Sequence, residues 1–138
     1  MEAEKIMKKR RFVIAVVLML FVMISAGCGS ADLVMDQRIA PGEAMRMMTY
    51  YDVIILDVRE LYEFNMGHIP NAVSLPIGEI RDAVAHMIPD KGQIILIYCQ
   101  SGRRSADALG ILVDMGYQEV FDFGGIIYWT GEVAVSSH

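Results

Sequence analysis

The order of apolar and polar positions divides the chain near residue 38. Residues 12–24, FVIAVVLMLFVMI, form one unbroken apolar run, while residues 29–37, GSADLVMDQ, are small and polar without periodicity. From Arg38 onward, short apolar runs alternate with stretches of helical spacing. PGEAMRMM (41–48) opens with Pro41 at a first helical position and Glu43 in the first turn, which predicts a helix. DVIILDV (52–58) is rich in β-branched residues and predicts a buried strand. ELYEF (60–64) predicts a turn or two of helix before Gly67, and AVSL (72–75) a weak strand. IGEIRDAVAHM (77–87) has amphipathic helical spacing, and QIILIY (93–98) is the clearest strand, ending against Cys99. Apolar residues at 108, 111, 112 and 115 predict a helix over 104–115, with Gly116 placed to cap it in a left-handed conformation. EVFDF (119–123) predicts a last strand, and IIYWTG (126–131) a short closing helix.

Strands separated by helical segments indicate an α/β fold with a mainly parallel central sheet flanked by helices. A length of 138 residues allows one such domain, assigned to 38–138. In parallel sheets ligands gather beyond the carboxyl ends of the strands, and Cys99 lies at one such end.

The first 27 residues do not fit that domain. Lys5, Lys8, Lys9, Arg10 and Arg11 precede the apolar run, whose 13 residues fall short of the roughly 20 needed to span a bilayer. This is the layout of an export signal. The run ends in SAGC (25–28), which resembles a bacterial lipobox and implies that Cys28 is lipidated and becomes the new N-terminus. Residues 28–37 would then be a tether, its last nine residues reaching about 30 Å at ~3.3 Å each. The expectation is a domain in the cell envelope, held to a membrane through a lipid anchor.

Charge sharpens this picture. Removing residues 1–27 takes five of 12 basic and two of 17 acidic residues, leaving seven against 15 and a net charge of −8. So acidic a body argues against nucleic acid as a partner and against electrostatic attachment to anionic lipid. Arg103 and Arg104 are a local exception. With Cys28 acylated, Cys99 has no disulfide partner within the chain, so it is either deeply buried or reactive.

The residues around Cys99 favour reactivity. In CQSGRRS (99–105) the backbone N–H groups of Gln100, Ser101, Gly102, Arg103, Arg104 and Ser105 can curl round the sulfur, Gly102 permitting a conformation that other residues resist. A helix N-terminus and two arginines add positive charge, which favours thiolate and lowers the pKa below the ~8.5 of free cysteine. The same cradle would bind an oxyanion. The blander alternative is a buried, inert cysteine beside solvated arginines.

At this point the sequence resembles the rhodanese family. LDVRELYEFNMGHIPNAVSLP (56–76) is similar to its first signature, with Asp57, Arg59, Glu63, Phe64, Gly67, His68, Ile69 and Pro70 in the expected order. YCQSGRRSADALGILVDMGYQEVFDFGGIIYW (98–129) is similar to its active-site loop, following helix and closing Gly124-Gly125…Trp129 motif. The resemblance covers roughly residues 38–131 and implies a single rhodanese-like domain with sulfurtransferase activity. Cys99 would take sulfur from thiosulfate or a similar small sulfur-containing anion, hold it as a persulfide and pass it to cyanide or a thiol. The loop 100–105 would hold the persulfide, Arg103 or Arg104 would bind the donor's anionic end, and no metal or organic cofactor is required. Asp57 and Arg59 read as a structural ion pair below the loop, His68 as a turn residue, Met45, Met47 and Met48 as core filling, and Trp129 as packing for the closing helix. The tail TGEVAVSSH lacks the family's usual glycine–proline ending, which leaves its packing open.

Two rival functions remain at this level. Phosphatases of related design place five residues between cysteine and arginine, whereas four separate Cys99 from Arg104, a tighter ring suited to sulfur rather than phosphate. A non-enzymatic or slow persulfide carrier, or a docking module at the cell surface, is the other. A reductase is weaker still, because no resolving cysteine accompanies Cys99.

Overall fold

The computed structural model describes residues 37–136; the segment read as an export signal, Cys28 and the stretch read as a tether, as far as residue 36, lie outside the described residues. The elements run α1 (Pro41–Tyr50), β1 (Val53–Asp57), α2 (Leu61–Met66), β2 (Ala72–Ser74), a 3-10 turn (Ile77–Glu79) leading into α3 (Ile80–Met87), β3 (Ile94–Cys99), α4 (Arg103–Asp114), β4 (Val120–Gly125) and a final 3-10 turn (Ile126–Tyr128). The four strands form one parallel sheet in the order β2-β1-β3-β4.

Both sheet faces are covered, which explains why β1 and β3 read as continuous apolar runs. Alternate residues part to opposite sides. Leu56, Ile95, Ile97 and Cys99 join Ile80 and Val84 of α3 and Ala108 and Leu112 of α4 in one core cluster. Ile55, Leu96, Tyr98 and Phe123 join Ala44 of α1 in the other, with Met47, Met48 and Trp129 packed against it. Cys99 and Tyr98 are therefore neighbours in sequence that serve opposite faces.

The strand order fixes where a ligand can sit. After β1 the chain moves outward to β2, then returns to lay β3 on the other side of β1. The connections thus diverge between the carboxyl ends of β1 and β3, at Asp57 and Cys99, which is the position where such sheets open a crevice. Pairing between β3 and β4 also shifts here, from Ile97↔Asp122 to Cys99↔Gly125, so β4 carries an extra residue. Gly124 absorbs that bulge at φ 92°.

Several details differ from the sequence expectation. The first turn of the 77–87 helix is 3-10 rather than α. Helical structure after β4 stops at Tyr128, because Trp129 turns extended and its indole lies over Gly131, where a Cβ would come within 2.9 Å of the ring. Two pairings had no periodic signal. Gln37–Ile39 line the outer edge of β4 through Ile39 N–H to Asp122 O (2.9 Å) and Asp122 N–H to Gln37 O (2.7 Å). The tail returns so that Ala134 and His68 exchange backbone hydrogen bonds of 2.8 Å each. Gly116 is left-handed at the end of α4, at φ 90°.

Candidate active site

Cys99 is the last residue of β3 and only 1% exposed. The chain leaves it through Gln100 and Ser101, then reverses at Gly102, whose φ of 102° is a left-handed conformation that favours glycine. This reversal aims the Gly102 N–H at the Cys99 Sγ, 3.1 Å away, and starts α4 at Arg103. Burial alone pushes the Cys99 thiol up. The Ser105 amide and hydroxyl, with the amides of Gly102 and Ser101, outweigh it and hold the pKa below the ordinary thiol value. The Ser105 Oγ also lies 3.1 Å from Gly102 O and 3.3 Å from Gly124 O, so its single proton has three acceptors within reach.

The floor of the loop is glycine. A Cβ on Gly125 would fall 2.5 Å from Gln100 O and 2.6 Å from the Ser101 Cα, closer than real Cβ atoms come. The Ile127 N–H donates to Gln100 O at 3.4 Å, tying the segment after β4 to the same loop. A cleft of about 320 Å³ opens between Ser101 and Gly102, Gly124 and the edge residues Arg38 and Ile39.

Beneath the loop Asp57 (0% exposed) and Arg59 (4%) form a buried ion pair. Arg59 Nε donates to both Asp57 oxygens at 2.9 and 3.0 Å, and its Nη2 to Asp57 Oδ2 and to Gly67 O at 2.6 Å each. Its Nη1 reaches Gln100 Oε1 at 3.3 Å, the link from this pair to the loop. The buried Tyr98 hydroxyl accepts the Ile69 N–H at 3.1 Å; burial first and Asp57 second raise its pKa, so it stays a neutral phenol.

The two arginines part company. Arg104 Nη1 and Nη2 donate to the two Glu63 oxygens at 2.7 and 2.8 Å. Glu63 Oε2 also accepts the Glu60 N–H at 3.0 Å, completing the capping box of α2. One carboxylate therefore caps α2 and clamps the first turn of α4. Arg103 is exposed and makes no ion pair or hydrogen bond among the described residues. The sequence brought Glu63 into view only as a motif member; its spacing from Glu60 was the available signal for the cap, and nothing local signalled Arg104 as its partner.

A family model described as a rhodanese-like domain matches residues 40–132, which takes in the loop, the ion pair below it and both glycines of the floor. The chain belongs to the rhodanese family. Within rhodanese relatives, the thiosulfate sulfurtransferase PspE of Escherichia coli (strain K12) is 35% identical over 71 residues, 51% of this chain and 68% of that protein. A tRNA uridine(34) hydroxylase of Cytophaga hutchinsonii is 33% identical over 95 residues, 66% of this chain but only 30% of the hydroxylase. Among solved structures, a rhodanese with anions from E. coli superposes with a TM-score of 0.59 at 29% identity, covering 62% of this chain and all of that one.

Proposed function

We propose that this rhodanese is a sulfurtransferase that carries sulfane sulfur on Cys99, from thiosulfate or a similar anionic donor to cyanide or a thiol. The observation that carries the reading is the amide cradle, in which the Gly102 N–H lies 3.1 Å from Sγ with the Ser101 and Ser105 amides converging on the same atom. A thiolate held this way attacks the outer sulfur of thiosulfate. The new S–S bond forms as the old one breaks, and sulfite leaves with the electron pair. The persulfide sulfur then inherits the cradle. Cyanide or a thiolate attacks that outer sulfur, and Cys99 leaves again as thiolate, so the cycle needs no external oxidant or reductant.

The resemblance to PspE, named a thiosulfate sulfurtransferase, supports the donor class. Phosphate transfer fits less well, because both terminal nitrogens of Arg104 are already engaged by Glu63. The reading is tested by intact mass of the protein after thiosulfate, where one added sulfur, removed by cyanide and absent in Cys99→Ser, is expected. No mass change would sink it.

We further infer a place in the cell envelope, on the strength of residues 1–28 alone. Fatty-acid labelling that depends on Cys28 is the expected result, and labelling indifferent to Cys28→Ser would refute it.

A further inference from the structure

The cleft beside the loop carries two opposite charges that the transfer steps leave unused. Arg38 and Asp122 form an isolated parallel bridge, and residues paired in this way project to the same side of a sheet. Asp122 is also in register with Ile97, two residues before Cys99, so Arg38, Asp122 and Cys99 rise on one face. With ~4.8 Å between strands and ~6.6 Å along two residues, the Asp122 Cα stands about 8 Å from the Cys99 Cα. Arg38 and Asp122 line the cleft together with Ser101, Gly102 and Gly124, and its 320 Å³ suits a ligand of amino-acid size. Gly102 belongs to both places, since its N–H lies 3.1 Å from the Cys99 Sγ. Charge narrows the class of ligand. Asp122 is buried and its Oδ1 accepts the Gly124 N–H at 2.9 Å, which fixes the carboxylate in place. Arg38 is exposed; it has an interaction of its own, and five N–H donors leave others for a ligand. A simple anion would meet the carboxylate, and a simple cation the guanidinium. A zwitterion satisfies both.

We propose that this cleft is the acceptor subsite for a small zwitterionic thiol of the amino-acid class, its ammonium on Asp122, its carboxylate on Arg38 and its sulfur turned to the Cys99 persulfide. The bound thiol gives its proton to water and attacks the outer sulfur as thiolate. The new S–S bond forms as the bond to Sγ breaks, and Cys99 keeps the electron pair. The ligand leaves as its own persulfide, with no oxidant or reductant consumed. The transfer step rests on the sulfurtransferase reading, whereas binding of the zwitterion does not.

The full chain is charged with thiosulfate, freed of excess donor, and discharged by one of three thiols at low concentration, with loss of the added sulfur followed by intact mass. L-cysteine carries both charges, cysteamine only the ammonium, and 3-mercaptopropionate only the carboxylate. Comparing each variant with wild type as a ratio of two thiols cancels their intrinsic reactivities. Arg38→Ala should lower the cysteine-to-cysteamine ratio about tenfold, the low end for a charge-assisted hydrogen bond because Arg38 is exposed. Arg38→Lys should restore part of it. Asp122→Asn, which keeps an acceptor for the Gly124 N–H, should lower the cysteine-to-3-mercaptopropionate ratio by at least as much. Should that variant fail to fold, the Arg38 ratio decides alone. A cysteine-to-cysteamine ratio unmoved by Arg38→Ala overturns the subsite. Binding is measured separately with S-methyl-L-cysteine, which cannot accept sulfur. It should shift the Gly102 and Gly124 amide resonances in wild type, and about tenfold more should be needed in Arg38→Ala. No such shifts in wild type also overturn the subsite. If the wild type forms no persulfide with thiosulfate, the sulfurtransferase reading fails, while the S-methyl-L-cysteine titration still decides whether the cleft takes a zwitterion.

Discussion

Glu63 and Arg104 lie 41 residues apart in sequence and meet fork to fork, at 2.7 and 2.8 Å. The bond joins α2, which follows β1, to α4, which follows the loop. It thereby spans the crevice where the strand order switches. Two parallel charge-assisted hydrogen bonds set angle as well as distance, so the pair fixes how the first turn of α4 presents the loop amides to Cys99.

Losing that clamp should cost stability in a pH-dependent way. The hydrogen bonds from Arg104 hold the Glu63 carboxyl below its usual range. A carboxyl depressed on folding contributes stability that is complete above the unfolded value of about 4.3 and is lost as pH falls through the lower folded value. Glu63→Gln should therefore be destabilised by about 1.5–3 kcal/mol at neutral pH. The gap to wild type should narrow in acid. Thermal melts of both proteins from neutral pH down into acid measure it.

The thiol should titrate low. Because the amides and the Ser105 hydroxyl favour thiolate against burial, the rate of iodoacetamide alkylation should reach half its maximum below the ~8.5 of free cysteine. Ser105→Ala removes a donor to the thiolate and should move that midpoint upward. A midpoint unchanged in Ser105→Ala would mean that the hydroxyl stays on Gly102 O or Gly124 O when the sulfur is ionised. Cys99→Ser should abolish transfer and retain the melting temperature within a degree or two, roughly what a surface-sized ΔΔG produces.

The buried pair below the loop should be more costly to break than the clamp. Asp57→Ala leaves the Arg59 charge enclosed with Gly67 O and Gln100 as its remaining partners. Removing one member of a buried ion pair costs about 3–5 kcal/mol. Urea denaturation should show that loss, and thiosulfate turnover should fall with it because Arg59, no longer held by Asp57, positions Gln100 less firmly. Tyr98→Phe, which strips the acceptor from the Ile69 N–H, should cost less, about 1–3 kcal/mol.

Much of this architecture was legible in the chain. β1 and β3 announce themselves because a strand buried on both faces carries no polar alternation, and Cys99 marks where β3 ends. The left-handed turns at Gly102 and Gly116 were legible for a similar reason, since both glycines stand beside a helix terminus. The separate fates of Arg103 and Arg104 were not. Adjacent helical residues project about 100° apart, and which of them finds a partner depends on where α2 comes to rest. Equally silent were Gln37–Ile39 and the Ala134–His68 pairing, which rest on isolated backbone bridges to which any side chain is compatible. The closing helix was read as too long because its spacing gave no sign that Trp129 would turn back over Gly131.

The glycine floor has a consequence for heredity. Gly125 has no part in the transfer steps above, yet the loop rests on the space where its side chain is missing. Every glycine codon changes by a single base either silently, at the third position, or to a stop or a residue that carries a Cβ. No missense mutation at this codon can be mild by size. The gene can therefore drift in the third letter of that codon but not in its meaning, and a variant that loses the glycine disturbs the shape of the loop even with the cysteine in place.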